Sequence, residues 1–350
     1  NTFDISIAPD GDDRNEGGAY VQDEIFLSEH FRWVVGGRVD KFSSIDDAVF
    51  SPGTTFMIKP AADQTFRVSF NRAFRAPSFI NNHIDTTILE HVDLSGLAPL
   101  LPPPLRPLVT PPFVFPTRAV GSARLQEESM TAYEMGYTGV VRDRVNVTAS
   151  VYWNHTKDGI YFTPVAAYTA ANPPPAWPLP PPILTTLAQL TPPRILPARF
   201  TYLNLGTIRD KGVELGVDTS LNQYVNVFAN YSYQWMPEVE DLPPGTTIND
   251  INWPSENRFN AGFDFSYSRF FGNLSVNYTD EAYWQDVLDV RFAGVTDAFT
   301  LVNAGVGVRW LDERIATSIK VTNLGNQEVQ QHIFGDILKR SVVGEVRFGF

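Results

Sequence analysis

The sequence predicts an all-β fold, an antiparallel transmembrane β-barrel of about 14 strands. Three observations predict it. Apolar and polar residues alternate with a period of two along most of the chain, short polar turns alternate with long connections, and aromatic residues gather toward the strand ends. In a membrane barrel, successive side chains of a strand face lipid and lumen in turn, and aromatic girdles lie at both interfaces. A soluble β-sandwich also alternates, but its water-exposed face is usually richer in Lys and Glu than the polar phase here.

The predicted strands follow one another along the whole chain. They lie near 2–8, 18–28, 31–42, 49–59, 64–75, 125–140, 145–154, 201–220, 225–235, 261–267, 273–286, 302–310, 314–324 and 341–350. On the apolar phase, four residues are predicted to face lipid, namely Val147, Val227, Phe263 and Val306. The short turns are predicted on the periplasmic side and the long connections on the extracellular side, as in outer-membrane barrels.

Composition excludes several other classes of protein. The 350 residues carry a net charge of −12, so a nucleic-acid backbone is a poor partner. There is no cysteine, which removes disulfide frameworks, thiolate metal sites and cysteine nucleophiles. The mean hydropathy of −0.14 is too polar for a helical membrane protein.

Two long stretches are almost free of charge but rich in proline. Residues 159–193 contain ten prolines and no charged residue, and residues 94–117 contain eight prolines and only Arg106. Proline removes a backbone donor and blocks the preceding helical turn, so neither stretch can be a spanning helix. We predict extracellular loops near 76–124 and 164–200, with one short helix around residues 183–190. Their aromatic residues are candidates for shaping ligand access, because loops specify binding more often than walls do: Phe113, Phe115, Tyr168 and Trp177. Alternatively, the loops only fold over the barrel mouth and pack on one another.

Charged residues on the polar phase of the strands are predicted to face a wet lumen or a plug, because a charge facing lipid is costly. These residues are Arg67, Glu134, Glu214, Arg309, Lys320 and Arg347. Salt bridges within the barrel wall are the simpler explanation for them. No nucleophile with a base and a third partner is recognisable among the five histidines and their neighbours. We therefore predict no enzymatic activity, no catalytic residue, no cofactor and no metal site.

Several segments resemble the C-terminal part of the barrel of TonB-dependent outer-membrane receptors. The most specific is Phe70-Asn-Arg-Ala-Phe-Arg-Ala-Pro-Ser78. The others, in order, are Gly18–Ile25 with Gly36–Asp40, Glu127–Tyr137, Asn204–Gly206 leading to Gly212–Leu215, and Val321–Asn326 before a terminal strand that ends in Phe350. The resemblance implies the last 14 strands of a 22-stranded barrel whose lumen is plugged by an N-terminal domain. No plug sequence is visible in this chain.

The resemblance also implies a location and a function. The location is the outer membrane of a Gram-negative bacterium, and the function is TonB-energised uptake of a scarce nutrient such as a siderophore, cobalamin or a glycan. The implied partners are membrane lipid, TonB acting through a plug, the ligand, and the barrel-assembly machinery, which would read Phe348 and Phe350 as a terminal signal. Two alternatives stay open: a passive channel, if 14 strands close on themselves, and a structural or adhesive surface barrel.

Overall fold

The computed structural model describes residues 6–7, 13–110, 112–189, 195–241, 252–284, 293–333 and 335–349. Within them the chain is almost entirely antiparallel sheet. The strands, numbered along the chain, are β1 (Ser6–Ile7), β2 (Glu16–Phe26), β3 (Phe31–Phe42), β4 (Val49–Ala61), β5 (Gln64–Arg75), β6 (Ile84–Val92), β7 (Phe113–Val120), β8 (Glu128–Val141), β9 (Val145–Ala167), β10 (Pro197–Asn222), β11 (Val225–Gln234), β12 (Glu238–Glu240), β13 (Asn257–Tyr267), β14 (Phe270–Thr279), β15 (Ala282–Trp284), β16 (Gly294–Thr296), β17 (Phe299–Trp310), β18 (Ile315–Thr322) and β19 (Ser341–Phe348). The helices are α1 (Phe79–His83) and α2 (Pro182–Ala188), and 3-10 helices cover Ser95–Leu100 and Pro103–Val109.

Thirteen of the strands form one continuous wall, in which each pairs antiparallel with the next wall strand along the chain. The wall order is β2, β3, β4, β5, β8, β9, β10, β11, β13, β14, β17, β18 and β19. Short turns such as 62–63, 142–144 and 268–269 lie at one end, and the long connections lie at the other. The predicted all-β architecture and its turn asymmetry are therefore confirmed.

The two ends of the wall do not meet. No pairing joins β2 to β19 in the described part of the chain, so the barrel is not closed. The wall also has one strand fewer than the predicted 14. Of the first predicted strand, near 2–8, only Ser6–Ile7 lies within the described residues, and these two pair with Asp85 and Ile84 of β6 and not with a wall strand.

The register separates the two faces of the wall. One row of directly paired positions is polar or small and contains Arg67, Gly136, Ser150, Glu214, Ser232 and Arg258. The row one residue along each strand is apolar and contains Phe66, Tyr137, Ala149, Leu215, Tyr231 and Phe259. Val227 pairs with Phe263 on the apolar face, and Val306 is 55 % exposed there. A wide exposed apolar face opposite a polar one is the pattern that a lipid-facing barrel wall requires.

Aromatic residues mark both ends of the apolar face. Near the short turns, the rings of Tyr224 and Tyr267 meet edge-to-face with their centroids 4.9 Å apart. The indole N–H of Trp310 donates a hydrogen bond to the Thr317 hydroxyl at 3.0 Å. Near the long connections lie Tyr133, Trp153 and Trp235. Among the described helices, none combines the length and the apolar character needed to cross a bilayer.

Candidate ligand-access loops and lumen wall

The two proline-rich loops pack against each other and enclose one apolar core. In the first loop the core receives Leu97 from one 3-10 helix, Leu105 and Val109 from the other, and Leu94 and Leu101, which flank the first 3-10 helix. In the second, α2 begins at a proline, which is preorganised for the first helical turn. Its residues Leu184 and Leu187 face that core. The short helix predicted around 183–190 is thus present at Pro182–Ala188.

The four predicted ligand-access aromatics all lie in or against this core. Phe113 meets Trp177 edge-to-face at 5.2 Å, and Phe115 meets Tyr168 edge-to-face at 6.0 Å. Phe115 is fully buried, whereas the other three are half-buried. The Tyr168 hydroxyl donates to the carbonyl of Pro116 at 2.7 Å, and burial raises the pKa of this phenol. In the described structure they hold the two loops together, and their role in ligand access stays a prediction.

The strands that lead into the second loop are longer than predicted. β9 continues to Ala167 and β10 starts at Pro197, so these strands pair well beyond the last β8 partner, Lys157. Where this long hairpin leaves the wall, Asp158 and Gly206 lie opposite each other and both have positive φ, at 56° and 62°. The Asn204 amide nitrogen donates to the carbonyls of Asp158 at 2.8 Å and Gln126 at 3.0 Å. The Asn204–Gly206 segment therefore redirects the hairpin and ties it to the loop before β8.

The segment Phe70–Ser78 positions the first loop. Arg75 donates to Glu128 at 2.6 Å, and the same carboxylate accepts the backbone N–H of Ile160 at 3.0 Å. Pro77 is fully buried, and its carbonyl accepts a bond from Arg14 at 2.6 Å. This network joins the starts of both loops to the wall.

An ion pair holds the β6–β7 hairpin of the first loop. Arg118 donates to Asp85 through two nitrogens at 3.0 and 2.7 Å. Hydrogen bonding from Arg118 holds the pKa of the Asp85 carboxyl below its ordinary value, and the charges of Arg118 and Arg199 act in the same direction. β7 also runs parallel to the start of β10, with Arg118 opposite Arg199, so the hairpin is fixed to the second loop as well.

The six predicted lumen residues all lie on the polar phase of the wall, and most have a partner. Arg67 pairs with Glu134, and Glu345 accepts from both Lys320 at 2.6 Å and Arg347 at 3.1 Å. Arg309 lies 3.8 Å from Glu313 and stacks over Phe271, while Glu214 accepts from Ser150 at 3.4 Å. Between Arg67 and Glu214 the surface forms a cavity of about 440 Å³. Salt bridges in the wall account for five of the six residues, and a role in plug contact stays a prediction.

An asparagine ladder crosses the same polar face and was not predicted from the sequence. The amide nitrogen of Asn303 donates to Asn277 at 3.0 Å, Asn277 donates to Asn260, and Asn260 donates to Asn230 at 2.8 Å. The backbone N–H of Asn323 donates to Asn303 at 3.0 Å and extends the chain of bonds by one step. The signal in the sequence is an asparagine on the polar phase of successive strands, but only the register shows that these residues meet.

Of the two predicted assembly residues, only one is described. Phe348 lies opposite Ile315 at the end of the last wall strand, on the outward face with Trp310, and is 62 % exposed. Phe350 lies outside the described residues. The described residues contain no group of three or more acidic, histidine or cysteine side chains able to hold a metal ion.

Comparison with known proteins identifies relatives of this wall. Residues 1–324 match the family described as TonB dependent receptor-like, beta-barrel. No curated protein sequence matches the chain. Among solved structures, the siderophore receptor PirA from Acinetobacter baumannii superposes with a TM-score of 0.67 at 14 % identity, covering 96 % of this chain and 46 % of that one.

Two further structures show the same fold. One is a mutant ferric enterobactin receptor, PfeA, from Pseudomonas aeruginosa in complex with enterobactin, with a TM-score of 0.65 at 12 % identity and coverage of 95 % and 45 %. The other is the FrpB iron transporter from Neisseria meningitidis, with a TM-score of 0.62 at 14 % identity and the same coverage. The chain thus spans less than half the length of the structures that it matches.

Proposed function

The chain belongs to the TonB-dependent receptor β-barrel family, and on that premise we propose that it forms part of an outer-membrane receptor for TonB-energised uptake of a scarce nutrient. Among such nutrients we propose a ferric siderophore as the substrate class. The three solved structures reported above, which share this wall, are a siderophore receptor, a ferric enterobactin receptor and an iron transporter.

The observation that carries the proposal is the two-faced wall. Its outward side exposes valine, isoleucine and phenylalanine between two aromatic levels, which suits the hydrocarbon region of a bilayer. Its inward side carries the ion pairs and the asparagine ladder, which need water or another polar surface to satisfy their remaining bonds. A membrane protein with this cross-section conducts polar solutes or holds a polar domain.

A plug would supply the second polar surface and the connection to TonB. The relatives are more than twice as long as the part that this chain matches, which leaves room in the whole protein for a plug and for further wall strands. In this arrangement Arg67, Glu134 and Glu214 contact the plug on one side of the lumen. Arg309, Lys320 and Arg347 would contact it from β17, β18 and β19, at the far end of the wall order.

The packed loops would control access to the lumen from outside the cell. Their common core contains Phe113, Phe115, Tyr168 and Trp177, so the loops form one preformed unit. The indole N–H of Trp177 is buried with no hydrogen-bond partner in the described part of the chain. We propose that a ligand either contacts the outer surface of this unit or separates the two loops, and that separation would expose these aromatics.

The passive-channel alternative requires the described strands to close on themselves. They leave β2 and β19 unpaired with each other, so they form no closed pore alone. Backbone groups at a sheet edge cannot remain unpaired in hydrocarbon. Further strands joining β2 to β19 are therefore part of the proposal.

The test is uptake of radiolabelled iron by an iron-starved strain that lacks its own copy of the gene. The strain carries either the full-length gene or an empty vector, and ferric enterobactin and other ferric siderophores are supplied one at a time. We expect gene-dependent uptake of at least one of them, and its loss when a protonophore is added or when TonB is deleted.

The three outcomes separate the candidate functions. Gene-dependent uptake that survives the protonophore would indicate a passive channel and contradict the proposal. If no ferric siderophore is taken up, labelled cobalamin and glycans are supplied to the same strains, and gene-dependent, protonophore-sensitive uptake of one of them would support a receptor function but contradict the siderophore substrate class. If the gene changes no uptake but changes cell adhesion, the surface-barrel alternative is correct.

A further inference from the structure

The outward face of the wall carries a row of basic residues at its long-loop end. The register places Arg72 of β5, Thr131 of β8, His155 of β9 and Arg209 of β10 directly opposite one another. Neighbouring strands lie about 4.8 Å apart, so Arg72 and Arg209 are separated by about 14 Å along this row. Lys157 lies on the same face of β9, two residues beyond His155 in the direction away from the apolar region.

Some of the basic residues at this end of the wall are neutralised by a carboxylate and others are not. Arg209 pairs with Glu240 at 2.9 Å, and Lys211, two residues along β10, pairs with Glu238 at 3.4 Å. Arg72 and Lys157 are both exposed, and neither forms an ion pair with a described residue. Since the whole chain has a net charge of −12, an outward surface with two unpaired cations runs against its overall charge.

An apolar slot lies directly beside this basic row, on the side toward the membrane. Tyr133 and Trp153 are paired positions on β8 and β9, and they are 52 % and 47 % exposed. Together with Met236, which is 42 % exposed, they line a cavity of about 380 Å³. His155, Arg209 and Lys211 line the same cavity together with Asp210 and Glu238, so its apolar floor continues into the basic row and the ion pairs beside it.

We propose that this surface binds the phosphorylated disaccharide of lipid A in the outer leaflet, with an acyl chain in the slot. Phosphate oxygens accept charge-assisted bonds from arginine and lysine, and a disaccharide carrying a phosphate at each end can reach both unpaired cations, Arg72 and Lys157, which lie two strand steps apart. The long connections place this end of the wall on the extracellular side, where lipid A is the anionic lipid. The contact lies on the outer surface of the barrel and does not depend on what the receptor transports.

The test measures retained lipid by native mass spectrometry of the full-length protein purified in detergent. Defined lipids are added one at a time: bisphosphorylated lipid A, phosphate-free lipid A and phosphatidylglycerol. The charge variant is Arg72→Glu with Lys157→Glu. Its matched control is Arg144→Glu with Arg314→Glu, which makes the same charge change at exposed turns on the opposite side of the membrane. Met236→Trp fills the slot without changing any charge.

We expect the wild-type protein and the control to bind bisphosphorylated lipid A alike. Each basic residue near an anionic lipid contributes about a fivefold factor, so the charge variant should bind it at least about tenfold more weakly. Met236→Trp should also weaken binding, and phosphate-free lipid A should bind no better than phosphatidylglycerol. The folding of each variant is checked by heat-modifiable migration on gels, in which a folded barrel runs differently before and after boiling. If the Arg72→Glu, Lys157→Glu variant misfolds, the variant Arg72→Gln with Lys157→Gln takes its place.

Either of two results would overturn the proposal. One is equal binding of bisphosphorylated lipid A by the folded charge variant and the wild type. The other is equal or tighter binding of phosphatidylglycerol or phosphate-free lipid A by the wild type, since the basic row would then not recognise a phosphorylated disaccharide.

Discussion

Asn323 shows how a single side chain can stabilise the bend after a wall strand. It follows β18 directly, has a positive φ of 57° and is only 2 % exposed. Its amide group donates to the carbonyl of Gln327 at 2.7 Å and accepts the Gln327 N–H at 3.1 Å. Asparagine tolerates the left-handed region better than most residues and also supplies both halves of this reciprocal pair.

The Asn323→Ala variant should therefore be destabilised by about 2–3 kcal/mol. Loss of two buried hydrogen bonds costs about 1 kcal/mol each, and alanine in the left-handed region adds about 1 kcal/mol. Asn323→Gly loses the same bonds but relieves the backbone, so its cost should be smaller by about 1 kcal/mol. Urea unfolding of the full-length protein in detergent micelles measures both variants. Equal destabilisation by alanine and glycine would show that backbone strain contributes nothing here.

The strands differ from the loops in what their side chains contact. A wall strand exposes its apolar residues on one face and satisfies its polar residues on the other. The loops bury their apolar residues in a core of their own, as a soluble protein does. The same kind of residue thus has a different environment in each element. A charge introduced at an outward-facing apolar residue should be costly in the wall and harmless in the loops, where only the buried apolar residues should be sensitive.

On a wall strand, adjacent positions should respond in opposite ways to arginine. Val147 lies on the outward face in the row of Val217 and Ala229, midway between the two aromatic levels. Arginine facing lipid at that depth should cost about 2–4 kcal/mol. Thr148 faces the 440 Å³ cavity that also contains Glu214, so Thr148→Arg has both space and a counter-charge and should cost under about 1 kcal/mol. The folded fraction after refolding into lipid vesicles compares the two variants, and similar losses would mean that the two faces are misassigned.

In the loops, the core should determine resistance to proteases. Leu187 is 1 % exposed in the core shared by both loops, whereas Leu100 in the first loop is 77 % exposed. A buried, unpaired carboxylate costs several kcal/mol, so Leu187→Asp should separate the loops while the wall remains paired. Protease added to intact cells should then cut within the two loops of Leu187→Asp faster than in the wild type. Leu100→Asp is the matched control and should be cut at the wild-type rate. If Leu187→Asp is no more sensitive, the loops are held by contacts other than this core.

At the scale of the whole molecule, the described wall ends in two free edges. β2 and β19 leave rows of backbone donors and acceptors unpaired in the described structure, and such edges are stable in a membrane only when other strands complete them. The last strand must therefore find its neighbour during assembly. Its outward aromatic residue Phe348 lies at the end of that strand, two positions before Phe350.

Deletion of Phe350 from the full-length protein should lower its amount in the outer membrane, because the family resemblance implies that the assembly machinery reads a terminal aromatic residue. Phe350→Tyr keeps an aromatic ring and should restore the wild-type amount. Quantitative immunoblots of outer-membrane fractions at low expression measure this. An unchanged amount after deletion would show that Phe350 is not an assembly signal.

Much of the wall could be predicted from the sequence, because in a strand the face of a side chain follows from its position along the chain alone. The alternation at Val145–Trp153 and Val225–Trp235 predicted both the strands and their lipid-facing residues. Proline ruled out a membrane-spanning helix in either loop for an equally local reason, since it removes a backbone donor wherever it stands. The polar phase likewise predicted where Arg67, Glu214 and Lys320 point.

What the sequence by itself determined is thus the strand pattern, the two faces, the turn asymmetry and the family. The tertiary structure alone decided which residues meet, because contacts between strands depend on register, and register is not contained in the alternation of any one strand. It brought four asparagines into one ladder, packed Phe113 of one loop against Trp177 of the other, and aligned Arg72 with Arg209 across three strand steps. It also left β2 and β19 apart, because closure of a barrel depends on the number and tilt of all its strands together.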